Sequence, residues 1–358
     1  MQNPKILRTI LENFTDEKIL DEARRKLKFT PLSADDKEMY EELSTSNNKK
    51  LANKANQMLA DGGKYDVNDP EFLSGANISV AITKEFMEAV DNDQTYALRF
   101  PDVDNYTKEE MKAYDEQWSE IGDVRVWEKM GYAIKTYHTV QAKELWKLLN
   151  VCATYAAEPG IFYMDNANEM TNAQAYGQQV VATNPCGEQP LAPYSVCNLA
   201  AINLAQFADK KTKTVKYEEL KETVRVAIRM QDNVISATPY FLDKNKTQAL
   251  GERRIGLGVM GLADLLIYVE ARYGSKKGNQ VTDKIFETIS TTAYETSIEL
   301  GKEKGSFAFL VGETEEETMA LRNKFINSGF MKKMPEHIRN GILSDGIRNS
   351  HLLTVAPK

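Results

Sequence analysis

Residues Val180 to Leu204 read VVATNPCGEQPLAPYSVCNLAAINL and hold two of the chain's three cysteines, Cys186 and Cys197. At the centre, Asn184-Pro185-Cys186-Gly187-Glu188 sets a thiol between an amide and a carboxyl, each two positions away. Side chains of an extended backbone alternate faces with a period of two, so this spacing predicts that Asn184, Cys186 and Glu188 point the same way, toward one small ligand. Pro185 pushes Asn184 out of the helical region and Gly187 permits a bend or a close approach, which makes the triplet part of a loop. Val180-Val181-Ala182-Thr183 reads as a short buried strand leading in. Pro190 and Pro193 mark a bend, after which Cys197 opens a second apolar run to Leu204. A reversal there brings Cys197 back toward the loop.

The 358 residues suffice for one large domain or two ordinary ones, and 42% hydrophobic content is that of a globular chain. A net charge of −7 and a pI near 5.3 argue against a general nucleic-acid or membrane-surface binder, although Arg253-Arg254 could hold an anion locally. No apolar run is long enough to cross a bilayer and the N-terminus has no signal-type core, so the expected compartment is cytoplasmic. Cys152, Cys186 and Cys197 form neither a disulfide framework nor a C-x-x-C zinc pattern. A catalytic or redox role stays open for them, beside burial as small hydrophobes.

Residues 1–72 are polar and helical in pattern, with stripes at Ile6, Ile10, Leu11 and Phe14, at Ile19–Leu27 behind a cap at Asp16, and at Leu51–Leu59. From Leu73 the character changes. Asn77–Ile82 alternates like a strand, and Thr83 can cap a helix carrying Phe86, Met87 and Val90. Residues 102–130 are acidic with isolated aromatics and read as a surface insertion. Val140–Ala157 is a helix with Leu145, Leu148, Leu149 and Cys152 near one face, and Ile161–Met164 a strand. Tyr217–Thr238 is an amphipathic helix with Leu220, Val224, Ile228, Gln231 and Ile235 on one side. A second long helix covers Thr282–Lys302 and ends at Gly305. Gly346–Lys358 reads as a strand, and strands alternating with helices at this spacing indicate an α/β architecture.

Gly256, Gly258 and Gly261 match G-x-G-x-x-G, but charged residues precede them where a dinucleotide site needs a strand. A glycine-rich bend opening a buried helix is the better reading. His138, His337 and His351 are scattered without metal-ligand spacing. No G-x-S-x-G or P-loop pattern occurs.

The string Thr183-Asn184-Pro185-Cys186-Gly187-Glu188-Gln189-Pro190-Leu191, followed by Cys197-Asn198-Leu199 and Ile202-Asn203-Leu204, closely resembles the large catalytic subunit of ribonucleotide reductases. The class II, adenosylcobalamin-dependent branch is the nearest match. Gly75-Ala76-Asn77-Ile78-Ser79-Val80 with Glu85-Phe86-Met87, Ala157–Phe162, Ile255–Gly261, and Arg348-Asn349 through Ala356-Pro357 resemble family stretches in the same order. The resemblance covers roughly residues 73–358.

This resemblance implies part of a ten-stranded α/β barrel over 73–358, with the reactive cysteine on an internal finger loop. Cys186 takes the role of the thiyl radical that abstracts hydrogen from the ribose 3′ carbon. Glu188 is implied as the base for the 3′-hydroxyl proton, and Asn184 as a hydrogen-bond partner of the ribose hydroxyls. Cys197 stands where the family keeps one of two redox cysteines, while the other has no counterpart before Cys152, which itself sits on an apolar helix face. The expected reaction is reduction of a ribonucleoside diphosphate or triphosphate to the 2′-deoxyribonucleotide, with adenosylcobalamin as cofactor and an external dithiol, such as a thioredoxin-like protein, as reductant. A nucleotide effector is a further implied ligand. The family's Thr-Gly-Thr phosphate turn would follow Ala356-Pro357, where this chain stops. The expectation is therefore one piece of a split or truncated enzyme, inactive alone and complemented by other reductase chains. Two alternatives stay open: a class I large subunit fed by a radical-generating partner, and a non-catalytic half-barrel that binds other polypeptides.

Overall fold

The computed structural model describes residues 29–65 and 77–356. The stripes expected at Ile6–Phe14 and Ile19–Leu27, the Gly75-Ala76 motif and Pro357-Lys358 lie outside the described residues. The chain divides into two compact units, one drawn from residues up to Ser119 with Asp123–Phe162, the other from Glu120–Gly122 with Tyr163 onward.

In the first unit, strand β1 (Phe29–Pro31) pairs antiparallel with β2 (Gly63–Tyr65) around helices α1 (Ala34–Ser44) and α2 (Lys49–Asp61). Ser33 and Asn48 cap the two helices with side-chain oxygens, and Gly62 ends α2 in the left-handed region. Strand β3 (Ser79–Ile82) leads into α3 (Lys84–Asp91), whose N-cap Thr83 accepts from the Phe86 amide, as expected. Strand β4 (Thr95–Pro101) precedes α4 (Lys108–Ile121) and α5 (Val124–Lys129), and β5 (Ile134–Gln141) returns antiparallel to β4. The segment between these strands carries Tyr114, Trp118 and Trp127, all buried in one aromatic cluster with Phe100 and Tyr132. The Trp127 indole donates to the Tyr106 hydroxyl at 2.7 Å, so its one polar atom is satisfied. Helix α6 (Ala142–Ala156) packs Leu145, Trp146 and Leu149 against Ile82, Phe86 and Val90 of β3 and α3, and β6 (Gly160–Tyr163) pairs with β3.

The second unit starts with α7 (Met164–Met170) and a hairpin of two-residue strands, β7 (Ala182–Thr183) and β8 (Pro190–Leu191). Strand β9 (Asn198–Asn203) follows, then a small hairpin of β10 (Ala208–Asp209) and β11 (Thr214–Val215). Helices α8 (Tyr217–Ala237) and α9 (Asp243–Glu252) connect to β12 (Ile255–Met260), which lies parallel to β9 over its full length. Helices α10 (Leu262–Tyr268), α11 (Lys276–Lys304), α12 (Glu315–Ile326) and α13 (Glu336–Asp345) complete it. The chain then returns to β12: the Ile255 amide donates to His351 O, Leu257 N to Leu352 O and Thr354 N to Leu257 O, with Leu257 bridged in parallel to Leu353. The result is a two-stranded parallel sheet, β9 and β12, with 351–354 bonded along the far edge of β12, so the strand expected over Gly346–Lys358 is, among the described residues, reduced to a single bridge at Leu353. A strand paired on both edges and covered by helices reads as continuously apolar, and β12 is buried from Ile255 to Val259.

Helix α8 buries Leu220, Val224, Ile228, Gln231 and Ile235, the expected face, together with Asp232. Helix α11 begins earlier than expected, at Lys276, because the Ser275 side chain caps it by accepting from Gly278 N. The expected glycine-rich bend is corrected. Gly256 and Gly258 lie within β12, and a Cβ at Gly258 would stand 2.4 Å from Thr354 O, so this glycine lets the 351–354 segment approach. Only Gly261, at φ +70°, turns the chain into α10. Among the described residues, no helix is long and apolar enough to cross a membrane.

Candidate active site

The β7–β8 hairpin pairs Ala182 with Leu191 and Thr183 with Pro190, leaving Asn184–Gln189 as its tip. Asn184 N donates to Gln189 O at 3.2 Å, and Gly187 N donates to Asn184 O at 3.0 Å, closing a turn with Pro185 and Cys186 at its centre. Proline supplies the φ that the second position of such a turn needs, and Gly187 takes φ +83° just beyond it. The Asn184 side chain folds back, its Oδ1 accepting from Gln189 N at 2.9 Å.

The expectation of an extended backbone with Asn184, Cys186 and Glu188 on one face is thereby corrected. Pro185 and Gly187 favour closure of a turn over extension, and the Asn184 amide seals it. The expected strand over Val180–Thr183 likewise shortens to Ala182–Thr183. Each member of the triplet meets a different environment. Cys186 is exposed at the tip. Glu188 is half-buried and reaches into a cavity of 260 Å³, lined also by Pro190, Arg254, His351, Thr171 and Asn172, with Met170, Tyr294 and Phe330 as apolar wall. Glu188 Oε2 is buried and, among the described residues, has no hydrogen-bond partner.

Two side chains from outside the hairpin hold its return limb. Thr354 Oγ1 donates to Glu188 O at 3.0 Å, and Arg254 Nη1 donates to Pro190 O at 3.2 Å. His351 completes that wall, its Nε2 3.2 Å from Thr171 Oγ1 and 3.5 Å from Arg254 Nη2, and its Nδ1 2.9 Å from Ser350 Oγ. Burial, reinforced by the Arg254 charge, holds its pKa well below the ordinary histidine range. The ring is therefore neutral at physiological pH.

Cys197 lines a second cavity, of 480 Å³, with Asn198, Tyr240, Asn245 and Arg254. Phe241, 97% exposed, stands at its edge. Burial pushes the Cys197 thiol up to about 12; Arg254 opposes the shift, while the carboxylates of Glu252 and Glu188 add to it. Cys186 lines neither cavity, so the expected reversal does not bring the two thiols to a common pocket. What Cys197 shares with the hairpin is the field of Glu188. All three cysteines are free, and burial alone raises the Cys152 thiol on α6.

The suggestion that Arg253-Arg254 holds an external anion is also corrected. Arg253 Nε lies 2.8 Å from Asp232 Oδ1 and Arg254 Nε 3.3 Å from Glu252 Oε2, with all four side chains almost fully buried. A charge taken out of water needs its partner at hand, and here the partners are internal carboxylates. The Ser195 hydroxyl also donates to Glu252 Oε1 at 2.5 Å.

Residues 24–358 match the family model described as ribonucleotide reductase, barrel domain. The chain belongs to this family. It is 33% identical over 252 residues to a vitamin B12-dependent ribonucleoside-diphosphate reductase of Thermoplasma acidophilum, a match covering 70% of the chain and 29% of that protein. A protein of the same name from Mycobacterium tuberculosis is 31% identical over 66% of the chain and 30% of its own length. The ribonucleoside-diphosphate reductase large chain of Cryptosporidium parvum is 30% identical over 76% of the chain and 33% of its own length. The reductase barrel chain thus spans about a third or less of these relatives.

Residue-level reading missed His351 as a wall of the Glu188 cavity and Thr354 as the anchor of Glu188 O, and treated Arg254 only as one of a basic pair. His351 was passed over because its spacing fits no metal. The available signal was a polar side chain at each of two positions, 351 and 354, in an otherwise apolar segment.

Proposed function

We propose that this chain carries the radical site of a ribonucleotide reductase, converting ribonucleotides to 2′-deoxyribonucleotides. The observation that carries the reading is Glu188 Oε2, a buried carboxylate oxygen without a partner among the described residues, two residues from an exposed thiol on one tight hairpin. A buried carboxylate in that condition is poised to take a proton from a hydroxyl brought to it. Cys186, as a thiyl radical, abstracts the hydrogen atom from the ribose 3′ carbon. Glu188 takes the 3′-hydroxyl proton as the ketyl forms. Asn184, its Oδ1 committed to Gln189 N, presents Nδ2 to a ribose hydroxyl. Cys197 and a second thiol supply two electrons and two protons, leaving as a disulfide while the 2′-hydroxyl departs as water. The reductant that restores them is an external dithiol, and the thioredoxin-like class suits that exchange.

The names of two relatives support adenosylcobalamin as the radical source. The exposure of Cys186 fits such a source, because a generator too large for either cavity can still approach Sγ from outside. When bound, the cofactor would supply radical chemistry to the Cys186 thiol. The protein's own part is to present Cys186 at the hairpin tip while keeping Glu188 in a cavity of its own. In the proposed whole enzyme, β9, β12 and the 351–354 segment belong to a ten-stranded barrel, with Asn184–Gln189 as the finger loop. Residues 102–130 are proposed as an insertion, and nucleotide effectors and further reductase polypeptides are the proposed partners.

The test is nucleotide reduction by the reductase assembly containing this chain, supplied with adenosylcobalamin and a dithiol. Cys186→Ser should bring turnover to background, and Glu188→Gln should lower kcat by about 10²–10⁴. Full activity in the Cys186→Ser assembly would overturn the assignment.

A further inference from the structure

Arg254 stands in a position that no other side chain among the described residues shares with it, the wall common to both cavities. On one side its neighbours are Glu188 and His351, and on the other Cys197 and Asn198. The guanidinium is fixed from three directions: by Glu252 Oε2 at 3.3 Å, by Pro190 O at 3.2 Å and by His351 Nε2 at 3.5 Å. It is 3% exposed, so neither water nor salt screens it well. The charged groups acting on Cys197 are Arg254 and Glu252, from the junction of α9 and β12, and Glu188 from the hairpin. Glu252 is already committed to Arg254 and to Ser195. Glu188 is not.

We propose that Arg254 is a positioning residue whose single guanidinium serves both cavities, so that negative charge on Glu188 and negative charge on Cys197 compete for it. This rests on the reading of Glu188 as proton acceptor and Cys197 as redox thiol. When Glu188 has taken a proton, its repulsion of Cys197 ends and the Arg254 field is left to the sulfur. The redox thiol is then most easily ionised after the 3′-hydroxyl proton has moved and least easily before. Arg254 thereby imposes an order on two events in separate cavities.

The readout is alkylation of the 358-residue chain by iodoacetamide at about pH 8.5, followed peptide by peptide by mass spectrometry. Thiolate fraction sets the rate, and one pKa unit is about tenfold in that fraction. Cys152 is the internal reference, since burial alone and no neighbouring charge shifts its thiol. Glu188→Gln should raise the Cys197 rate relative to Cys152 by about three- to tenfold, and Arg254→Gln should lower it by a similar factor, with Arg254→Lys between. An unchanged ratio in Glu188→Gln overturns the proposal. So does a raised ratio in Arg254→Gln, which would report opening of the cavity and not charge. Should Arg254→Gln fail to fold because Glu252 is left unpaired, Glu188→Gln and Arg254→Lys decide. These rates need no turnover, so an assembly that stays active with Cys197→Ser would remove the redox role while leaving the charge competition standing.

Discussion

Gly187 shows how a single backbone angle sets the chemistry of the hairpin tip. At φ +83° it occupies a region that residues with a Cβ rarely enter, yet an added Cβ would meet nothing within 4 Å. Substitution should therefore cost backbone strain alone. Gly187→Ala is expected to lower stability by about 1–2 kcal/mol, and Gly187→Asn by less, because asparagine tolerates the left-handed region. Urea unfolding of the three proteins measures this, and equal costs for alanine and asparagine would contradict it. The turn was half legible in the sequence. Pro185 and Gly187 announced a loop, but the period-two alternation applies only to extended chain, and the Asn184 amide bonding to Gln189 N removed that premise. Arg254 was illegible for a different reason. Glu252 is a near neighbour in sequence, but Pro190 and His351 come from separated stretches, and no local pattern records where a long side chain ends.

Helix α8 was readable because its packing follows one period. Leu220, Val224, Ile228, Gln231 and Ile235 all face inward, and a regular stripe is visible without knowing what it meets. Strand β12 was not, because the glycines at 256 and 258 answer to a segment about a hundred residues later. Their G-x-G spacing belongs to the contact with Thr354 and not to any nucleotide. Gly258→Ala should push the 351–354 segment off the sheet and cost about 1–3 kcal/mol, read as a fall in the thermal midpoint. It should also loosen the Thr354 bond to Glu188 O. Gly62→Ala, at a position with open space around it, provides the comparison for strain without collision. A Gly258→Ala protein as stable as the parent would show that the strand approach is not tight.

Across the whole molecule, stability should depend on pH through His351. Its folded pKa lies well below the ordinary value, so between the two values the unfolded chain binds the proton and the folded one does not. The contribution is fully present above about pH 6.5 and is lost as pH falls from there toward the folded pKa. The thermal midpoint should drop on acidification through this window, and His351→Gln should flatten that part of the profile. An identical profile in the variant would assign the acid sensitivity to other groups. The α/β class and the order of the family stretches were legible at this scale. The pairing that gives the second unit its parallel core was not, since it joins segments from 198, 255 and 351.

The 351–354 segment also sets a timetable. A chain is made from its N-terminus at roughly 5–20 residues per second and long-range pairings wait for both partners. β9 and β12 can find each other once residue 260 is out, but the far edge of β12 stays bare until 351–354 follow. Glu188 gains its Thr354 anchor only then. During synthesis Arg254 can grip the hairpin at Pro190 before Thr354 is made, and Glu188, the proposed proton acceptor, receives its own anchor only when residues 351–354 have docked on β12.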